Sequence, residues 1–102
     1  MIVVLTTVPN EEEGDALAEK IVGEHLAACV QVLPRMTSIY HWEGKVQRET
    51  EHLLLIKTLD EKFAELEKFI QANHSYEVPE IVAFYATEVS EPYARWLADY
   101  LQ

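Results

Sequence analysis

Two long stretches of strand-forming residues meet at the dipeptide Glu43-Gly44 near the middle of the chain. A glutamate–glycine pair between β-rich runs predicts a β-hairpin with a two-residue turn, extending over residues 29–58. Each arm has about fourteen residues and would reach roughly 46 Å at ~3.3 Å per residue. Two other apolar runs, Ile2–Val8 and Ile81–Thr87, predict strands of about half that length. The arms of the hairpin are therefore longer than the strands available to cover them.

Three segments with apolar residues at helical spacing complete the predicted secondary structure. The first begins after Asn10, an N-cap residue for which Glu13 supplies a capping box, and is predicted to continue to about Ala27. Asp60 is predicted to cap the second helix and Ser90 the third. The residues predicted to face inward are Leu17, Ile21 and Ala28 in the first helix, Phe63, Leu66, Phe69 and Ile70 in the second, and Tyr93, Trp96, Leu97 and Tyr100 in the third.

The position of the turn predicts which residues of the hairpin face one another. A two-residue turn places Trp42 opposite Lys45, and the following residues pair in step towards the base. The same count places Val32 opposite Leu55. Because Pro34 has no backbone N–H, we predict a bulge or bend beside it that can shift this register.

The predicted order β-α-β-β-α-β with a C-terminal helix is that of a ferredoxin-like α+β sandwich, in which two split βαβ units interleave. One such domain accounts for residues 1–102, since no linker or repeat separates its elements. Open strand edges favour pairing with another chain, so the overlong hairpin predicts self-association. The aromatic pair Tyr40 and Trp42 near its tip is predicted to pack against the next subunit.

Composition narrows the classes of function. Eighteen acidic residues against eight basic ones give a formal net charge of −10, which disfavours nucleic-acid binding. No apolar run reaches the ~20 residues of a membrane helix and the N-terminus has no basic signal region, so we expect a cytoplasmic protein without membrane contact. The single cysteine, Cys29, excludes an internal disulfide and a cysteine-rich zinc knuckle. Isolated glycines, with no His-Glu-x-x-His and no nucleophile elbow, predict that the chain is not an enzyme.

Five blocks of the chain carry a family signal. They are LAACV at residues 26–30, TSIYHWEGK at 37–45, LLLIKT at 53–58, HSYEVPEI at 74–81 and YARWL at 93–97. In this order they resemble the CutA family of divalent-cation tolerance proteins. The resemblance implies a cytoplasmic homotrimer of ferredoxin-like subunits whose long hairpins pair with neighbouring subunits. It also implies a role in tolerance of copper or other divalent metal ions, and a likeness in architecture to the PII signalling trimers.

A metal site is a further implication of the resemblance. Cys29, His74 and Glu80 stand at the family positions proposed to hold a metal ion. A thiolate and an imidazole suit copper or zinc, and a carboxylate can complete a small site. Some relatives carry a second cysteine and a second histidine where this chain has Thr6 and Asn73, so fewer soft ligands remain here.

Each candidate ligand also has an ordinary structural interpretation. Cys29 can pack as a small hydrophobe, His74 can close the second helix, and Glu80 can be a solvated carboxylate. His25 and His52 are predicted to lie on the surface and are assigned no role. The function predicted from the sequence is that of a trimeric divalent-metal-binding protein of copper type. The alternative is a PII-like signalling or scaffold trimer that binds a small ligand or a partner protein in clefts between subunits.

Overall fold

The structure is a computed structural model that describes residues 1–102. Strands and helices follow one another in the predicted order, and the first arm of the hairpin is divided into two strands. A 3₁₀ turn at Asp60–Lys62 precedes the second helix. The bounds are Ile2–Val8 for β1, Glu11–Gly23 for α1, Cys29–Val32 for β2, Met36–Trp42 for β3, Lys45–Thr58 for β4, Phe63–Asn73 for α2, Val82–Tyr85 for β5 and Glu91–Leu101 for α3.

One antiparallel sheet joins the strands in the order β2-β4-β1-β5, which confirms the predicted ferredoxin-like arrangement. Residues 52–58 of β4 pair with β1 on one side, and the last part of the same stretch pairs with β2 on the other. The preceding residues of β4 pair with β3 alone. Residues 36–51 therefore project as a two-stranded ribbon, and the molecule measures 45 Å in its longest extent against 25 and 23 Å. The predicted overhang is confirmed.

The turn at the tip of the ribbon has the predicted two residues. Glu43 and Gly44 both have positive φ, 48° and 79°. That combination belongs to a type I′ turn, whose twist matches the twist of the flanking strands. Trp42 lies opposite Lys45 as predicted.

The register at the base of the hairpin differs from the simple count by one residue. Val32 pairs with Leu54 and not with Leu55. The chain leaves the ladder beside Pro34, between β2 and β3, and adds an extra residue on that arm. The bulge is confirmed, whereas the predicted pairing of Val32 is wrong because the bulge shifts it.

His52 is buried against this bulge, so its predicted surface position is wrong. Its Nδ1 donates to the Leu33 carbonyl oxygen at 2.9 Å. The Leu33 N–H in turn donates to the Leu53 carbonyl oxygen at 2.9 Å. Both backbone groups of the residue that leaves the regular ladder are thereby paired. The imidazole of His52 stabilises the point at which the ribbon leaves the sandwich.

Helix α1 ends at Gly23, earlier than predicted, because His25 adopts the left-handed conformation with φ 58°. The N–H of Leu26 reaches back to the Ile21 carbonyl oxygen at 3.0 Å, as in a Schellman motif. The His25 ring stacks on Tyr100 of α3 with ring centroids 4.4 Å apart. This contact supports a backbone conformation that is unfavourable for residues other than glycine.

The predicted caps form only in part. The Asn10 side chain accepts from the Glu13 N–H at 2.8 Å, as predicted. The Asp60 carboxylate does not cap α2 and instead accepts from the Tyr85 hydroxyl at 3.2 Å. Ser90 occupies the N-cap position of α3 but makes no side-chain cap hydrogen bond.

The main core lies between one face of the sheet and helices α1 and α2. A smaller cluster joins Leu97 and Leu101 of α3 to Ala28. Trp96 is half exposed, so its predicted inward orientation is wrong for the single chain. The buried members of the main core are Ile2, Val4, Val8, Leu17, Ile21, Leu26, Ala27, Leu54, Ile56, Leu66 and Ile70.

No helix is both long and apolar enough to cross a membrane.

Alanine substitutions at the two glycines of α1 should have opposite effects on the free energy of unfolding. A Cβ at Gly14 would lie 3.0 Å from Cγ2 of the fully buried Val8, so Gly14→Ala crowds α1 against the sheet. We expect it to lower the free energy of unfolding by about 1–3 kcal/mol. Nothing lies within 4 Å of a Cβ at Gly23, so Gly23→Ala should raise the free energy of unfolding by about 0.5 kcal/mol. Chemical denaturation at one protein concentration measures both, and shifts of the same sign would contradict the prediction.

Candidate functional site

Two of the three predicted ligands, Cys29 and His74, lie in different parts of the subunit. Cys29 opens β2 and lies opposite Lys57 of β4, whereas His74 follows α2 and contacts β1 at Thr7, which lies opposite Leu53. Cys29 and Thr7 are displaced from each other both along the strands and across two strand spacings. The combined separation is roughly 16 Å. No group of three His, Cys, Asp or Glu side chains converges within the chain. A site that uses both Cys29 and His74 requires more than one subunit.

The His74 side chain is fully buried, and both ring nitrogens are hydrogen-bonded. Nδ1 accepts from the Tyr76 N–H at 3.0 Å, which assigns the ring proton to Nε2. Nε2 donates to the Thr7 carbonyl oxygen at 2.7 Å. Thr7 lies beyond Leu5, the last residue of β1 that pairs with β5. The imidazole thus satisfies a strand carbonyl where pairing with β5 has ended, and in this arrangement neither nitrogen is free for a metal ion.

Glu13 contacts the same segment and does not complete the predicted capping box. Its carboxylate accepts from the Ser75 N–H at 3.2 Å and from the Ser75 hydroxyl at 2.8 Å. The same oxygen lies 3.7 Å from His74 Nδ1, but that nitrogen carries no proton, so the contact is not an ion pair. Glu13 therefore joins the first turn of α1 to the segment after α2.

A cleft of about 640 Å³ opens between the ribbon and residues 75–80, and we call it the ribbon cleft. Tyr40 and Trp42 line it from the ribbon, and Tyr76 lines it from the facing segment. Glu80, the third predicted ligand, also lies at this cleft, whereas Cys29 does not. The structure therefore separates the predicted ligand set between two locations.

Tyr76 and Glu51 form a hydrogen bond inside the ribbon cleft. The Tyr76 hydroxyl donates to Glu51 Oε2 at 2.7 Å, and Glu51 is only 7% exposed. Burial, followed by the hydrogen bond to Glu51 and its charge, raises the pKa of Tyr76 far above its usual value. Burial and the charges of Glu49 and Glu51 also raise the pKa of Tyr40. Both phenols therefore keep their protons at neutral pH and remain hydrogen-bond donors.

Glu51 is a site residue that was not predicted from the sequence, although its position in β4 carried a signal. Successive residues of a strand point to opposite faces, so Glu51 shares a face with Leu53 and Leu55. A carboxylate that continues an apolar face is a candidate for burial and for function. The signal was hidden because Glu51 directly follows residues 47–50, which are all polar, so the chain shows no point at which the apolar face begins. The partner, Tyr76, lies in a loop with no periodicity and could not be found in this way.

His74→Ala tests whether the imidazole is structural. The change leaves the Thr7 carbonyl and the Tyr76 N–H without their partner, so we expect the free energy of unfolding to fall by about 2–4 kcal/mol. His74→Gln is the matched control, because its amide can still donate to Thr7 and should recover part of the loss. Chemical denaturation in chelator-treated buffer measures both variants. Wild-type stability in His74→Ala would show that the ring is dispensable for the fold.

Glu51→Gln should lower the pKa of Tyr76 because it removes the charge that disfavours the phenolate, while burial keeps the pKa above the ordinary value of 10.0. A pKa raised in the folded state stabilises the fold fully below pH ~10, and this contribution is lost as pH rises through the folded-state value. A ¹³C NMR titration of the Tyr76 ring carbon bearing the hydroxyl measures the pKa. Glu88→Gln, an exposed carboxylate outside the cleft, should leave it unchanged. Equal titration curves for wild type and Glu51→Gln would refute this coupling.

Comparison with known proteins gives a consistent result at the level of sequence. The family model described as CutA1 divalent ion tolerance protein matches residues 2–100. The chain is 50% identical over 96 residues to the chloroplastic CutA protein of Arabidopsis thaliana, covering 94% of this chain and 53% of that protein. It is 46% identical over 97 residues to the divalent-cation tolerance protein CutA of Thermus thermophilus, covering 95% and 94% respectively. The chain spans about half the length of its plant relatives from Arabidopsis and Oryza sativa.

Solved structures agree with the sequence comparison. The crystal structure of CutA1 from Oryza sativa matches with a TM-score of 0.96 at 44% identity, over 99% of this chain and 93% of that chain. The periplasmic divalent cation tolerance protein CutA from Archaeoglobus fulgidus matches with a TM-score of 0.96 at 32% identity, over 100% of both chains. On the family match and the fold together, the chain belongs to the CutA1 family of divalent ion tolerance proteins.

Proposed function

We propose that the chain acts in divalent-cation tolerance as a homotrimer that binds copper or zinc ions between its subunits. The observation that carries the proposal is the match of residues 2–100 to the CutA1 divalent ion tolerance family. Relatives that align with nearly the whole chain, such as the Thermus protein, are named divalent-cation tolerance proteins. The net charge of −10 adds a general attraction for cations.

The unpaired ribbon supports the assembly. Its outer edges have no partner strand, and it exposes large apolar side chains such as Ile39 (60%) and Val46 (74%). The short edge strand β5 exposes Phe84 as well. Long edges with apolar side chains pair with other chains. A closed ring covers every such edge, and three is the number of subunits that the family resemblance implies.

The proposed metal ligands are Cys29, His74 and Glu80. Their burial and hydrogen bonds constrain how each can bind a metal ion. Cys29 is a half-buried free thiol and Glu80 is exposed, so both can take part without unfolding. His74 has to exchange at least one buried hydrogen bond for the metal. Because Cys29 lies far from His74 and outside the cleft that Glu80 lines, we propose that a complete site combines side chains of neighbouring subunits. The proposed role is non-catalytic, and the proposed location is the cytoplasm.

A second candidate function is favoured by the ribbon cleft. A volume of about 640 Å³ lies in the range of sites for small molecules, ~300–1,000 Å³. A PII-like signalling or scaffold trimer would bind a small ligand or a partner protein in clefts between its subunits. The ribbon cleft would form part of such a site, and the cysteine would not be needed.

Native mass spectrometry of chelator-treated protein, titrated anaerobically with copper and zinc ions, tests the first candidate. We expect a trimer that takes up a fixed number of ions. Cys29→Ser, which replaces sulfur by oxygen with little change in size, should weaken uptake by about tenfold or more, since soft metals prefer thiolate. His74→Gln should weaken it while keeping the fold.

The control variant Glu88→Gln removes one exposed charge and should leave uptake unchanged. A monomer would contradict the proposed assembly. Unspecific adducts of equal extent in wild type, Cys29→Ser and His74→Gln would contradict the specific site.

A further inference from the structure

The Glu51 carboxylate is nearly buried and has no cationic side chain of the chain beside it. The residue is 7% exposed, and it takes part neither in the Arg95–Glu91 ion pair nor in the contact between His74 and Glu13. The carboxylate has one hydrogen bond, from the neutral Tyr76 hydroxyl to Oε2. A buried carboxylate is costly unless it is paired and fully hydrogen-bonded. Glu51 therefore offers the ribbon cleft a nearly buried carboxylate that has a neutral hydrogen-bond donor but no cationic one.

The space beside Glu51 has the chemistry of a cation site. Three aromatic side chains line the ribbon cleft: Tyr40, Trp42 and Tyr76. The faces of such rings attract organic cations, most strongly where water is partly excluded. No lysine, arginine or histidine lines the cleft. Its carboxylates belong to Glu51, Glu77 and Glu80.

A metal ion fits this cleft less well than an organic cation. The carboxylates are not gathered into a group of three or more metal-binding side chains. Hard divalent ions need several oxygen ligands close together. The cavity of about 640 Å³ is also far larger than one ion requires. Aromatic walls around a single buried carboxylate instead suit a cation that has an apolar part.

We propose that the ribbon cleft binds a small organic cation with a primary or secondary ammonium group. The ammonium N–H donates to Glu51, and the alkyl part lies against Tyr40 and Trp42. A quaternary cation has no N–H and cannot satisfy the carboxylate, so it binds more weakly. This inference rests on the second candidate function, a trimer that binds a small ligand. The cleft shares Glu80 with the proposed metal site but needs neither Cys29 nor His74.

An NMR titration of the full chain, assembled and treated with chelator, tests the proposal. The probes are n-butylammonium and its neutral counterpart n-butanol, and the reporters are the Trp42 indole N–H and the Tyr76 amide. We expect saturable shifts of both signals with n-butylammonium and none with n-butanol. Tetramethylammonium should bind several-fold more weakly, since it cannot donate to Glu51.

Two variants locate the site. Glu51→Gln keeps an acceptor for Tyr76 but removes the charge, and should weaken n-butylammonium binding by about tenfold or more. Glu88→Gln removes an equal charge outside the cleft and should leave the affinity unchanged. Tyr40→Leu, at a residue exposed enough to tolerate substitution, removes one ring face and should weaken binding several-fold. Because Tyr40→Leu leaves Glu51 in place, this variant tests the site even if Glu51→Gln does not fold.

Three results would overturn the inference. Equal shifts with n-butanol would mean that only apolar contact matters. Equal weakening by Glu51→Gln and Glu88→Gln would mean general attraction to an acidic surface. No saturable shift in the assembled protein would mean that a side chain of another copy already fills the cleft. Metal uptake measured on the same sample separates this failure from failure of the proposed metal function.

Discussion

Backbone hydrogen bonding along β4 is the constraint on which the other features depend. This strand is paired on both sides near its C-terminal end and on one side only along the ribbon, because β1 covers residues 52–58 and no further. The covered half closes the core against α1 and α2. The uncovered half has unpaired edges, which favour pairing with another chain. It also forms one wall of the ribbon cleft.

Buried polar side chains concentrate where sheet pairing ends. His52 pairs with a carbonyl of the bulge, and His74 pairs with the carbonyl of Thr7 beyond the reach of β5. Glu51 lies at the start of the ribbon beside them. Backbone groups that leave a ladder inside a protein must find other partners, and these imidazoles supply them. Two of the four histidines thus have structural tasks, which limits how many are free to bind a metal.

The two proposed sites would bind cations of different chemistry. In the proposed metal site, copper or zinc would bind the Cys29 thiolate, which lies near the end of β4 farthest from the ribbon, and would take its other ligands from a neighbouring subunit. An organic cation calls for aromatic faces and one buried carboxylate, which a single subunit already provides in the ribbon cleft. The two proposed sites differ in their main donors, and Glu80 is the residue that they share.

The sequence by itself determined the order of elements, the turn at Glu43-Gly44 and the overhanging ribbon, because local periodicity and turn chemistry encode them. It also carried the family resemblance. Only the tertiary structure decided the shifted pairing of Val32, the burial of His52 and His74, and the contact between Tyr76 and Glu51. The register and the buried histidines depend on which backbone groups remain unpaired after the strands assemble. The contact between Tyr76 and Glu51 joins residues far apart in the chain, which local periodicity does not connect.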